Sequence, residues 1–296
     1  MFDARAFARR CALPLSVTAV LLLPSLAGAA LPGSQRQPFG KSSPSLKERV
    51  KNNPTAGTGK SGGSFQLTYA TVKDKDYQVL RDLFQETGLL EEAVKSLNET
   101  FLLPASVEVS VRECGQANAY YESAGRRISL CYELVASYAG MFFAEAETEE
   151  DQEWAGEAVA GATLFTLYHE LGHALIDIWD LPITGREEDA VDQLATIILL
   201  EAGEDGEEAA LNGASSLWEE KDEESEEEDP GFWNEHSVGE QRFYNIVCWS
   251  YGKNPQGLSH VIEDEWLPEA RAARCPEEYA RMAKGWDALL SPHVRE

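Results

Sequence analysis

The residues Thr166 to Leu175 read TLYHELGHAL. His169 and His173 are four apart, so on a helix they stand on one face, one turn from each other. Two imidazole nitrogens so placed can bind a single tetrahedral ion, and Zn2+ is the ion that suits them. Glu170 lies beside the first histidine, within reach of a metal-bound water, which is the mechanical content of a His-Glu-x-x-His motif. The flanking Thr166, Leu167, Leu171, Gly172, Ala174 and Leu175 are uncharged or apolar. A polar surface helix would not look like this. The bland alternative, two satisfied core histidines one turn apart, is outweighed by the motif and its apolar setting.

A third donor is expected from residues 185–196, GREEDAVDQLAT. Glu188 and Asp192 again share one helical face. Two histidines and the Glu188 carboxylate would leave a fourth tetrahedral position for water. Asp192, one turn on, is placed to accept the free N–H of His169 or His173 and fix its tautomer. The stretch Leu181–Gly185 is long enough to reverse the chain between the two segments. Glu187 and Asp189 compete with Glu188, each pointing about 100° away around the helix. Acidic residues also suit a first helical turn on electrostatic grounds alone, which must explain some of the three. His236, followed by Arg242 and Tyr244, is the candidate for stabilising the oxyanion formed when water attacks a carbonyl. A lone histidine is more often a cap or a surface residue. The chemistry implied is metal-assisted hydrolysis: a polarised carbonyl, with Glu170 carrying the water's proton to the leaving amine.

These residues need a scaffold. FQLTYATV from Phe65 alternates like a strand, and residues 74–101 repeat apolar side chains at helical spacing. SVEVSVREC, NAYYE and RRISLCYE read as strands, the last two forming a hairpin across Ser123-Ala124-Gly125. Helices are predicted at about 133–144, 153–179, 187–202, 237–251 and 276–290. The expected fold class is α+β: a small antiparallel or mixed sheet packed on the helix of the histidine motif, then a mainly helical C-terminal half.

Residues 1–29 read as a signal peptide: Arg5, Arg9 and Arg10, an apolar run from Ala12 to Leu26, then Ala27-Gly28-Ala29 as a cleavage site. The run is short for a membrane span and holds Pro14 and Pro24. No later segment could span a bilayer. The expected location is therefore exported, periplasmic or secreted. Four cysteines remain after cleavage, Cys114, Cys131, Cys248 and Cys275, an even number in an oxidising compartment. Three pairings are open, with the local ones, Cys114–Cys131 and Cys248–Cys275, favoured over distant ones and over buried thiols. Residues 30–63, rich in Gly, Pro, Ser, Lys and Asn, read as a disordered linker, leaving a domain over 64–296. Residues 219–229, EEKDEESEEED, are expected in an acidic disordered loop spanning about 203–235. The net charge is −26, which argues against nucleic acid and anionic membranes as partners. It leaves the oligomeric state open.

At this point the chain resembles known enzymes. HELGH followed by Glu188-x-x-x-Asp192 is similar to the gluzincin pattern of thermolysin-like peptidases. CGQANAYYE, ISLCYEL, HELGHALID, GREEDAVDQLA, EQRFYNIVCWSYG and RCPEEYARMAKGWDALL resemble segments of an uncharacterised family of exported bacterial zinc metallopeptidases. The resemblance covers most of residues 110–290 and implies a zincin-like fold, with a cleft above the metal; it does not supply the substrate, for which a peptide or protein is the expected class. It also implies that Asn118, Ala119 and Tyr120 form the edge strand that holds a substrate main chain, against the plainer reading of an ordinary hairpin strand. The His-to-Glu spacing is shorter than in thermolysin-like enzymes, and their downstream Asp-x-x-Gly-x-x-His element is missing. The alternative function is a zinc-retaining, non-catalytic binding or chaperone-like module of the cell envelope. An intact Glu170 weighs against it, because a structural zinc site needs no general base.

Overall fold

The structure, a computed structural model, describes residues 62–144, 146–218 and 235–295. The signal peptide, nearly all of the linker and residues 219–234 of the acidic run lie outside the described residues. Described chain begins two residues before the expected domain boundary: the N–H groups of Gly62 and Gly63 both donate to the carbonyl of Leu103.

Four strands form one mixed sheet. They are β1 (Phe65–Tyr69), β2 (Val107–Arg112), β3 (Ala119–Glu122) and β4 (Arg127–Cys131), in the order β1-β2-β4-β3. The β1–β2 and β2–β4 pairs are parallel and β3–β4 is antiparallel. The most apolar strands, β2 and β4, are central and bury Val107, Val109, Val111, Ile128 and Leu130, as parallel neighbours require. The short β3, with its outward Tyr120, is an edge. Parallel strands need a long crossover. Between β1 and β2 it is made by α1 (Lys75–Thr87) and α2 (Leu89–Thr100). The single helical stretch expected over 74–101 breaks at Gly88, which takes φ 67, caps α1 and starts α2. Only glycine adopts that conformation without cost.

Helix α3 (Tyr132–Phe143) follows β4, and α4 (Glu149–Trp179) carries the histidine motif. A capping box between Thr148 and Asp151 starts α4, and Asp180 in the left-handed region ends it. Its middle is apolar on every side, which is how a helix through the centre of a domain reads. Strands β3 and β4 and helix α3 cover one flank of α4; α5 (Glu187–Leu200) and α6 (Glu204–Trp218) cover the other. Helix α7 (Gly239–Lys253) closes over α5 and α6. The short α8 (His260–Glu263) and α9 (Glu269–Ala272) lead to α10 (Cys275–Leu290), which packs on α7.

Helix α6 corrects the reading of 203–235 as a disordered acidic loop. Residues 204–218 are helical and bury Ala209, Ala210, Leu211, Gly213, Ala214 and Leu217. The dense charge downstream obscured this small-residue face, which fits only because it lies directly on α4.

Both local disulfides form. Cys114–Cys131 joins the end of β2 to the end of β4, and Cys248–Cys275 joins α7 to α10. Loops of 17 and 27 residues should each be worth about 3 kcal/mol in restricted unfolded-state freedom.

Two carboxyls at the α4–α6 contact set a pH dependence. Burial, together with neighbouring carboxylates, raises both Glu157 and Glu208 to about 7. The Oε1 atom of each is buried without a hydrogen-bond partner. A carboxyl raised in the folded state binds more protons folded than unfolded, so its contribution declines as pH rises from the ordinary value of 4.5 through 7. The melting temperature should fall between pH 5 and pH 8. In the Glu157→Gln/Glu208→Gln protein that slope should flatten, as scanning calorimetry would show; an unchanged slope would disprove the assignment.

Candidate metal centre

Helix α4 presents His169, Glu170 and His173 from its buried middle, and α5 crosses it at Gly172. A Cβ on Gly172 would stand 2.6 Å from Val191 Cγ1 and 2.7 Å from Val191 Cβ. The glycine of HELGH is therefore a point where the two helices approach too closely for a side chain. That approach brings Glu188, one turn before Val191, against the histidines. Gly172→Ala should force the helices apart, costing about 1–3 kcal/mol in stability. It should also weaken metal binding at the candidate cluster, which includes the displaced Glu188. A variant with wild-type metal affinity and melting temperature would show that this contact does not set the site.

One ligand atom from each of His169, His173 and Glu188 lies within 4.8 Å of the others. Glu188 Oε2 is 3.2 Å from His169 Nε2 and 3.4 Å from His173 Nε2. A third imidazole reaches the same oxygen: His236 Nε2 is 2.9 Å away, on a side chain 46% exposed and stacked on His169 at 6.0 Å. Glu188 Oε2 is nevertheless buried with no hydrogen bond of acceptable geometry. Burial pushes the Glu188 carboxyl up, but the three imidazoles outweigh it and hold the carboxyl far below the usual range.

The opposite edge of each imidazole is tied off. His169 Nδ1 donates to Asp192 Oδ1 at 2.8 Å, and His173 Nδ1 donates to Glu187 Oε1 at 2.7 Å. Both rings thus turn Nε2 toward Glu188. Asp192 is buried, and Arg242 answers its charge with Nε on Oδ2 and Nη2 on Oδ1, both at 2.8 Å. Burial resists ionisation of Asp192, but Arg242 and then His169 hold its carboxyl well below its ordinary value. Burial also lowers His169, yet its bond to Asp192 and the nearby Glu188 carboxylate raise it to about 9. His173 is raised against burial by Glu188 and Glu187. Glu170 is buried, and burial raises it, partly offset by His169 and His173.

The donor set fits a zinc ion. Ligand bonds of about 2.0–2.1 Å in a tetrahedron put ligand atoms about 3.3 Å apart, close to the separations from Glu188 Oε2 to the two imidazoles. The unsatisfied buried oxygen is the atom such an ion would satisfy. The other cysteine and carboxylate cluster, Cys114, Cys131 and Glu133, does not compete. Its sulfurs are joined to each other, and Glu133 accepts the N–H groups of Cys114 and Gly115.

The remaining sequence candidates are more scattered. Asp189 accepts the Ser237 hydroxyl at 2.8 Å. Tyr244 packs in an aromatic cluster with Trp218 and Phe243. Arg242 is engaged by Asp192 and is not presented to an oxyanion. Asn118, Ala119 and Tyr120 lie at and beside edge strand β3, with Asn118 Oδ1 accepting the Ala119 N–H at 2.9 Å. Sequence reasoning missed Arg242 as the partner of Asp192. The signal was there: a buried carboxylate needs a cation, and few basic residues lie in apolar stretches. It also missed Glu187 as the partner of His173.

A metallopeptidase family matches the chain over residues 69–290: DUF4344, described as "Putative metallopeptidase". The match spans most of the sequence and contains every residue of the centre, and the chain belongs to that family. No curated protein and no solved structure matches it. Family and centre together define a metallopeptidase-type protein with a candidate His/Glu metal site, two disulfides and a peptide as the implied substrate. Among the described residues no helix is long and apolar enough to cross a membrane.

Proposed function

We propose that this chain is an exported zinc-dependent peptidase of zincin-like, gluzincin type, with His169, His173 and Glu188 holding Zn2+ and Glu170 acting as general base. One observation carries the reading. A buried carboxylate oxygen with no good hydrogen bond faces two imidazoles whose far nitrogens are already fixed, and a second buried carboxylate stands beside them. Zinc bound there would polarise a scissile carbonyl and make its water acidic. The chain's own groups do the rest. Asp192 and Glu187 hold the two rings in the tautomer that directs Nε2 inward. Glu170 takes the proton of the attacking water and delivers it to the leaving amine. His236, close to Glu188 and half exposed, is placed to donate to the developing oxyanion. The free edge of β3, at Asn118-Ala119-Tyr120, would receive an extended substrate. The signal sequence and two disulfides support an oxidising compartment.

The test is cleavage of a mixed peptide library by the zinc-loaded chain, read by mass spectrometry, with chelated protein and Glu170→Gln as controls. Cleavage should appear only in the loaded wild type. No cleavage across pH by a fully loaded sample would defeat the peptidase reading and favour a binding module.

A further inference from the structure

Resting on the role proposed above for His236, we infer that Asp189 and Ser237 are positioning residues: the hydrogen bond between them seats the segment before α7 so that the His236 imidazole stands at Glu188. Two consecutive residues of α5 meet two consecutive residues of that segment. His236 Nε2 is 2.9 Å from Glu188 Oε2, and the Ser237 hydroxyl donates to Asp189 Oδ1 at 2.8 Å. Neighbouring side chains on a helix point about 100° apart, so α5 grips the segment from two directions. One contact involves the imidazole, and the other ties down the main chain that carries it.

His236 is not held by burial, since its side chain is half exposed. Its ring turns about two side-chain bonds, so Nε2 stays in one place only if the backbone beneath it does. The segment is fixed further along at two points. A Cβ on Gly239 would stand 2.1 Å from the Leu217 carbonyl oxygen, so the start of α7 lies directly on the end of α6. Arg242, one turn into α7, clasps Asp192 with two bonds of 2.8 Å. Both points come after Ser237, and the Ser237–Asp189 bond is the one adjoining His236. A serine at a helix start ordinarily accepts a main-chain N–H of the first turn. Helix α7 has no side-chain cap, and the Ser237 hydroxyl is spent on α5 instead. A simple helix start explains neither the direction of that hydroxyl nor the pairing of Glu188 and Asp189 with His236 and Ser237.

Nuclear magnetic resonance of the zinc-loaded full chain, isotopically labelled at histidine, tests this without reference to turnover. In Ser237→Ala the His236 ring resonances should shift while those of His173 stay near wild type. Unchanged His236 resonances overturn the inference. Ser237→Thr keeps a hydroxyl and should restore the wild-type spectrum. On a cleaved library peptide, His236→Ala should lower kcat about 10²–10³-fold, the usual loss for one oxyanion donor. Ser237→Ala should lower kcat about tenfold, with KM and zinc content near wild type, because the donor is displaced and the ligands are not. Combined, the two substitutions should cost no more than His236→Ala alone, because Ser237 acts only through His236. Losses that multiply would mark Ser237 as merely structural. Should Ser237→Ala fail to fold, Asp189→Ala opens the same bond from the α5 side and is read in the same way. If wild type cleaves nothing, the peptidase reading fails, while the histidine resonances still decide whether the bond seats His236.

Discussion

Glu170→Gln should bind zinc as the wild type does and lose about 10²–10⁴-fold in kcat. The substitution leaves side-chain volume almost unchanged. Zinc content should not change, because Glu170 is not among the groups converging on Glu188 Oε2. What the amide cannot do is accept a proton. Burial raises the Glu170 carboxyl above its ordinary value, with His169 and His173 restraining the rise. A base so tuned holds a proton better than an exposed carboxylate while staying ionised for part of the working pH range. The wild-type rate should therefore fall as pH drops through the raised value, and the variant's residual rate should lack that limb. Zinc content by elemental analysis and kcat on one cleaved library peptide are the two measurements. A variant with wild-type kcat would remove Glu170 from the mechanism. One that loses both zinc and turnover would make it a structural part of the site.

The sheet, the histidine helix and both disulfides were legible because each has a local cause. The strands alternate, the motif sits in an apolar helical run, and the cysteines close short loops. Helix α6 was not, because its buried face is made of alanine and glycine, which carry little hydrophobic signal until α4 is present to receive them. Around the site, spacing along one helix was readable and pairing between helices was not. Glu188 and Asp192 could be placed on one face from the sequence. That Arg242, fifty residues on, meets Asp192 depends on the packing of α7 over α5. Glu187 shows the same limit. About 100° separates it from Glu188, which excluded a shared direction but not a bond to the far nitrogen of His173.

The three consecutive acids of α5 should separate cleanly in a zinc competition against a chromogenic chelator. Glu188→Ala should weaken binding by more than about 100-fold, beyond what loss of an outlying partner usually costs. It removes the carboxylate oxygen that faces both Nε2 atoms. Glu187→Ala should cost nearer to tenfold, at the low end for such partners, because its bond to His173 Nδ1 orients the ring from a half-exposed position. Asp189→Ala should leave the affinity unchanged, since its carboxylate is spent on the Ser237 hydroxyl. The order matters more than any single value. Removing any of the three acids lowers the negative charge of an already acidic chain, so a general electrostatic effect would weaken all three variants alike and fade with salt. A ligand, an orienting partner and a bystander give three different losses that salt does not equalise. Wild-type affinity in Glu188→Ala, or a larger loss in Asp189→Ala, would move the third ligand away from Glu188 and with it the geometry on which the proposed hydrolysis depends.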